Sequence, residues 1–155
     1  MRALTLVCAA AALAACTPRI NTDPDTGRVD VDMQPVTQRG EVWNARIAGT
    51  GSAAALTGTA TATAREGHIV ATMNLSGAQA GGVHPWAIHE GTCAAGGAMV
   101  GAAGTYPVLQ VGSNGQATAT AHVMAQLNEA RDYHVRVHAS QTDMATVVAC
   151  GALED

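Results

Sequence analysis

The chain contains no lysine and no phenylalanine, and only 3% of its 155 residues are aromatic. Charged side chains make up 13%, every basic one is an arginine, and the formal net charge is −4. A mildly acidic chain without a basic cluster lacks the electrostatic footprint of a nucleic-acid binder. Long apolar runs are missing except at the N-terminus, and that run is too short for a bilayer-spanning helix. No G-x-S-x-G elbow occurs, so hydrolase-type nucleophilic catalysis finds no support. What the chain does have is small and apolar. It is 48% hydrophobic, largely alanine, and carries 17 glycines. That apolar share is too high for a disordered tail, and the length suits one domain.

Residues 1–16 read MRALTLVCAAAALAAC. Arg2 precedes an apolar stretch of about a dozen residues, the layout of a secretory signal. The closing Leu13-Ala14-Ala15-Cys16 resembles the lipobox of bacterial lipoproteins, in which the cysteine is acylated and the preceding signal removed. The resemblance implies a signal peptide at 1–15, a lipid anchor on Cys16, and an envelope protein. With Thr17, not Asp, after the cysteine, it implies the periplasmic face of the outer membrane. Cys8 would leave with the signal. Cys93 and Cys150 then remain as a pair in an oxidising compartment, where a disulfide is the default. The other use of such a pair is as thiolate metal ligands.

From residue 16 to 40 the text is polar, with Pro18, Pro24 and Pro35 and four aspartates, and reads as a flexible tether with at most a strand near 28–33. From Glu41 the hydrophobic period is two. Strands are expected near 42–47, at the Thr57–Thr63 run, at 68–75, 82–90, 106–111, 116–124, 133–138 and 146–153. Pro85 calls for an edge, a bulge or a position free of ladder hydrogen bonds. Gly112-Ser113-Asn114-Gly115 reads as a hairpin turn, and the only helix expected is a short one near Met124–Arg131. About eight short strands make residues 41–155 an all-β Greek-key sandwich or flattened barrel. The two Thr/Ala runs are too few for an ice-binding solenoid and read as strands with small side chains.

Two segments carry chemistry. Gly82-Val83-His84-Pro85-Trp86-Ala87-Ile88-His89-Glu90-Gly91-Thr92-Cys93 is one, and His134-Val135-Arg136-Val137-His138 with the later Ala149-Cys150-Gly151 is the other. On a strand, His134, Arg136 and His138 share one face, as do Ala87 and His89. Together these segments resemble the copper/zinc superoxide dismutase family, with its G-x-H-G-F-H-x-H-E-x-G-x-C, V-V-H and A-C-G texts in the same order. The resemblance spans roughly residues 42–153. It implies that family's β-barrel and a disulfide between the cysteines matching Cys93 and Cys150. His89 and His138 match copper ligands, His84 matches a buried bracing histidine, and Trp86 matches an aromatic core residue.

The departures from that pattern are chemical. Ala87 stands where the first histidine of H-x-H belongs, residues 94–105 contain no His, Asp or Glu, and Val147 replaces the anion-guiding arginine. No zinc site can be assembled from this spacing. Cu(II) prefers about four N/O ligands, and two histidines fall short of that. A replacement ligand is conceivable from His134, but it lies about 13 Å along its strand from His138, and His68 and His122 have no place in the pattern. No catalytic residue is assigned. The expectation is a binding or structural envelope module without zinc, copper being the one cofactor in question. The alternative is a copper-binding protein or residual superoxide dismutase using His89 and His138. Beyond the membrane reached through Cys16, no partner is implied. Imidazoles of His89 and His138 more than about 7 Å apart could not share an ion.

Overall fold

The computed structural model describes residues 16–22, 29–35 and 40–155, with side chains from Gly40 onward. The signal peptide expected at 1–15 lies outside the described residues. The chain divides into two compact units, 1–39 and 40–155, a boundary at the point where the polar text gives way to period-two text.

In the first unit, β1 (Cys16–Thr22) pairs antiparallel with β2 (Val29–Pro35), Cys16 opposite Pro35 and Thr22 opposite Val29. The tether reading expected at most one strand here. Val29-Asp30-Val31-Asp32-Met33 does alternate, and a second extended segment is enough to pair with it.

The second unit is built from β3 (Glu41–Gly49), β4 (Thr57–Arg65), β5 (His68–Ser76), β6 (Val83–His84), β7 (Trp86–Glu90), β8 (Leu109–Gln110), β9 (Gln116–Val123), β10 (Tyr133–Ser140) and β11 (Asp143–Glu154). Seven of these form one antiparallel sheet in the order β7-β10-β11-β3-β4-β5-β9, and β6 pairs with β8 separately. The sheet curls into a half-barrel. The last strand lies beside the first strand of its unit, and β9 returns beside β5, so the consecutive hairpins β3-β4-β5 are flanked by late strands as in a Greek key.

Alternation explains which side faces in. β9 buries Ala117, Ala119, Ala121 and Val123 and exposes Gln116, Thr118, Thr120 and His122; β4 buries Ala60 and Ala62 between threonines. On the outer face the threonines satisfy one another across strands, Thr72 with Thr120 at 3.0 Å and Thr118 donating to Asn74 at 2.9 Å. The two Thr/Ala runs are thus strands with small buried side chains. Because so much of the lining is alanine, the few aromatics carry bulk. Trp43, Trp86, Tyr106 and Tyr133 are all buried. They meet in T-shaped pairs, Trp43–Tyr133 at 5.6 Å and Trp86–Tyr106 at 5.3 Å, the geometry favoured by ring quadrupoles.

Three expectations change. The strand expected over 82–90 is split by Pro85 into β6 and β7, which join different sheets, and the Pro85 carbonyl accepts the His138 backbone N–H at 2.8 Å. The strand expected over 106–111 shrinks to Leu109–Gln110. No helix forms at 124–131. There Asn128 takes the Ala130 N–H on its side chain and gives its own N–H to the Tyr133 hydroxyl, which turns the backbone out of helical register. The 112–115 turn is present, with Gly115 at φ +75°.

Candidate metal site: a cluster of buried histidines

β10 and β7 are hydrogen-bonded neighbours in register Tyr133↔Glu90, His134↔His89, Val135↔Ile88, Arg136↔Ala87 and Val137↔Trp86. Opposed residues share a face. Ile88, Val135 and Val137 are fully buried on the core side with Trp86. His89 and Ala87 lie on the other face with His134, Arg136 and His138. This face is not open to solvent: relative exposures are 8% for His89, 0% for His134 and 7% for His138. At His138 the pairing of β10 with β11 shifts register, the kind of irregularity that re-aims a side chain.

The three rings are close. His89 and His134 stack with centroids 5.6 Å apart, and His89 and His138 are 6.3 Å apart. Both distances fall inside the limit of about 7 Å for two imidazoles sharing one ion. Hydrogen bonds fix two of the tautomers. His89 Nδ1 faces the Gly97 carbonyl at 3.1 Å, and His134 Nδ1 faces the Gly91 carbonyl at 2.8 Å. A carbonyl can only accept, so each Nδ1 carries the proton and each Nε2 presents a lone pair. A backbone carbonyl on the far nitrogen is the usual outer-shell arrangement of a metal-ligating histidine. Both Nε2 atoms, and Nδ1 of His138, are buried without a hydrogen-bond partner. Burial pushes all three rings below the ordinary histidine pKa, and the nearby Arg136 guanidinium pushes the same way, so the rings are neutral at pH 7.

The loop after β7 builds much of this. The disulfide Cys93–Cys150 ties it to β11, with Cα atoms 6.0 Å apart, as expected for this pair. The two fixing carbonyls, of Gly91 and Gly97, bracket Cys93. Gly97 passes so close to the Glu90 carbonyl that a Cβ would sit 2.0 Å from its oxygen, which restricts the position to glycine. Arg136 packs against Gly96 and donates to the Cys93 carbonyl at 3.4 Å. Met99 bridges opposite His89.

The remaining residues singled out by sequence occupy supporting places. His84 Nδ1 donates to the His138 carbonyl at 3.0 Å and braces β6 against β10. Trp86 is buried and donates from Nε1 to the Pro107 carbonyl at 2.8 Å. Ala87 is buried opposite Arg136. His68 and His122 sit on β5 and β9 and take no part in the cluster. The segment 139–149 forms a tight hairpin between β10 and β11. Lipid attachment at Cys16 concerns a side chain outside the described ones.

Sequence reasoning put His134 and Arg136 on one face with His138 but did not bring them to His89 and Ala87. Distance along one strand was the wrong measure for His134, because His89 on the neighbouring strand lies within reach of both it and His138. Only the strand register carries that information.

The free nitrogens of the three histidines are not all gathered within 4.8 Å of one another. Among the described residues the only trio of potential ligands so gathered is Glu41, Glu129 and Asp155, near the ends of the domain. No family model and no curated protein matches the chain.

Proposed function

We propose that the protein is a lipid-anchored module of the bacterial envelope. Its superoxide dismutase-like domain binds copper through His89 and His138 and does not run the dismutation cycle. The observation that carries this reading is a pair of buried neutral imidazoles 6.3 Å apart, each with an unpartnered ring nitrogen. Desolvated lone pairs are costly to leave unmade, and a soft monovalent ion satisfies them without adding a ligand of its own. Cu(I) accepts few ligands, whereas Cu(II) prefers about four. With alanine at 87 and no His, Asp or Glu in residues 94–105, the donor set favours holding Cu(I) over cycling between the two states. The same absences leave zinc without a ligand set.

The test is a Cu(I) competition titration of the processed protein in detergent, against a chromophoric chelator. The expected result is one equivalent bound, with affinity lowered at least about a hundredfold in His89→Ala and in His138→Ala, the scale of losing one of very few ligands. The copper-loaded protein, freed of unbound copper, is expected to consume superoxide no faster than the metal-free protein. Failure to bind a stoichiometric ion would reject the reading in favour of a metal-free structural module. The lack of convergence of the three nitrogens within 4.8 Å is the observation on that side.

A further inference from the structure

We infer that His134 supplies its Nε2 to the ion that His89 holds, making the site one of paired cross-strand imidazoles on β7 and β10. This rests on the copper-binding reading above and names a ligand that reading does not require. Four observations converge on it. His134 and His89 are direct register partners, so their rings leave the sheet side by side on one face. Their centroids are 5.6 Å apart, closer than those of His89 and His138 at 6.3 Å. One loop sets both tautomers, since Gly91 and Gly97 accept the two Nδ1–H groups and leave both Nε2 atoms as lone pairs. And His134 is completely buried, with Nε2 unpartnered.

The burial is the decisive point. β10 places valine at 135 and 137, and valine at 134 would bring better strand propensity and no unsatisfied nitrogen. A fully buried imidazole needs something to bind, and no protein group reaches its Nε2. The one cation in the cluster, Arg136, is turned toward the loop at the Cys93 carbonyl, 3.4 Å away, so it does not occupy the space between the rings. Ala87, opposite Arg136, adds no donor. His134 thus does from the neighbouring strand what a histidine at 87 would do from β7. The free nitrogens of the three histidines are not all within 4.8 Å of one another, so gathering all three onto one ion requires a ring to move.

The experiment is imidazole ¹⁵N NMR of the wild-type processed protein in detergent, titrated anaerobically with Cu(I) alone. The expected result is that the Nε2 resonances of His89 and His134 move together and saturate at one equivalent. In His134→Gln, which keeps a polar side chain of similar reach, Cu(I) affinity is expected to drop at least about tenfold while the His89 resonance still responds. If His134 Nε2 keeps its metal-free shift while His89 and His138 move, the inference is overturned and the copper reading stands. If no ring responds to Cu(I), the copper reading fails and this inference with it. The wild-type spectrum decides the matter even if the variant does not fold.

Discussion

His89, His134 and His138 set the pH behaviour of the metal-free domain. Each is held below the ordinary histidine pKa, first by burial. In the unfolded chain the same rings titrate near 6.5. Between that value and their folded values the unfolded state binds more protons, so stability falls as pH falls. The melting temperature in the presence of a chelator is therefore expected to be flat above about pH 7 and to decline steadily below about 6.5. Replacing His134 by Val should remove part of that slope, and an unchanged pH profile in the variant would contradict the assignment. Arg136 acts on the same rings from outside. Its charge disfavours a cation at the site, and it is partly exposed, so screening limits the effect. Arg136→Gln is expected to raise Cu(I) affinity roughly three- to tenfold at low salt, with the gain shrinking as salt is added. A loss of affinity would mean that the guanidinium builds the site and does not merely oppose it.

At the scale of elements, the loop from Gly91 to Met99 determines whether the histidines are presented as lone pairs. The disulfide closes 57 residues of chain between Cys93 and Cys150. By chain entropy that is worth about 4 kcal/mol. The double variant Cys93→Ser/Cys150→Ser should lose about 3–4 kcal/mol in denaturant unfolding, and should also bind Cu(I) more weakly because the carbonyls of Gly91 and Gly97 lose their anchor. Gly97→Ala separates the two effects. It leaves the disulfide intact but drives a Cβ into the Glu90 carbonyl. It is expected to weaken copper binding with a smaller cost in stability than the cysteine pair, and equal affinity to wild type would remove the loop from the account. How much of this was legible beforehand differs by element. Period-two alternation places β4, β5 and β9 from sequence, because half-buried antiparallel strands write their faces directly into the text. Pro85 is legible as an interruption. The pairing of β1 with β2 is not, since neither segment's text names its partner strand. The helix expected near 124–131 failed because Asn128 competes for backbone donors, a tertiary detail. The site itself was half legible. His89 and His138 stand out by motif, but His134 enters only through the register that sets it opposite His89.

At the scale of the whole molecule, the glycine and alanine content and the sparse charge describe a domain with thin strands and short connections. β10 and β11 are joined by a tight turn, and residues 94–105, after β7, carry no His, Asp or Glu. The cluster is enclosed, with each of its three histidines less than a tenth exposed. The text around Cys16 makes the molecule's residence testable. With acylation of Cys16 the protein partitions with membranes, and one chain alone gives marginal, reversible anchoring whereas several acyl chains hold firmly. Cys16→Ala is expected either to accumulate as an unprocessed precursor or to appear in the soluble periplasmic fraction. Metabolic labelling with a palmitate analogue should mark the wild type and not the variant. A variant still processed and still membrane-bound would place the anchor elsewhere, and copper binding would then have to be understood in a protein held to the envelope by contacts of the domain itself.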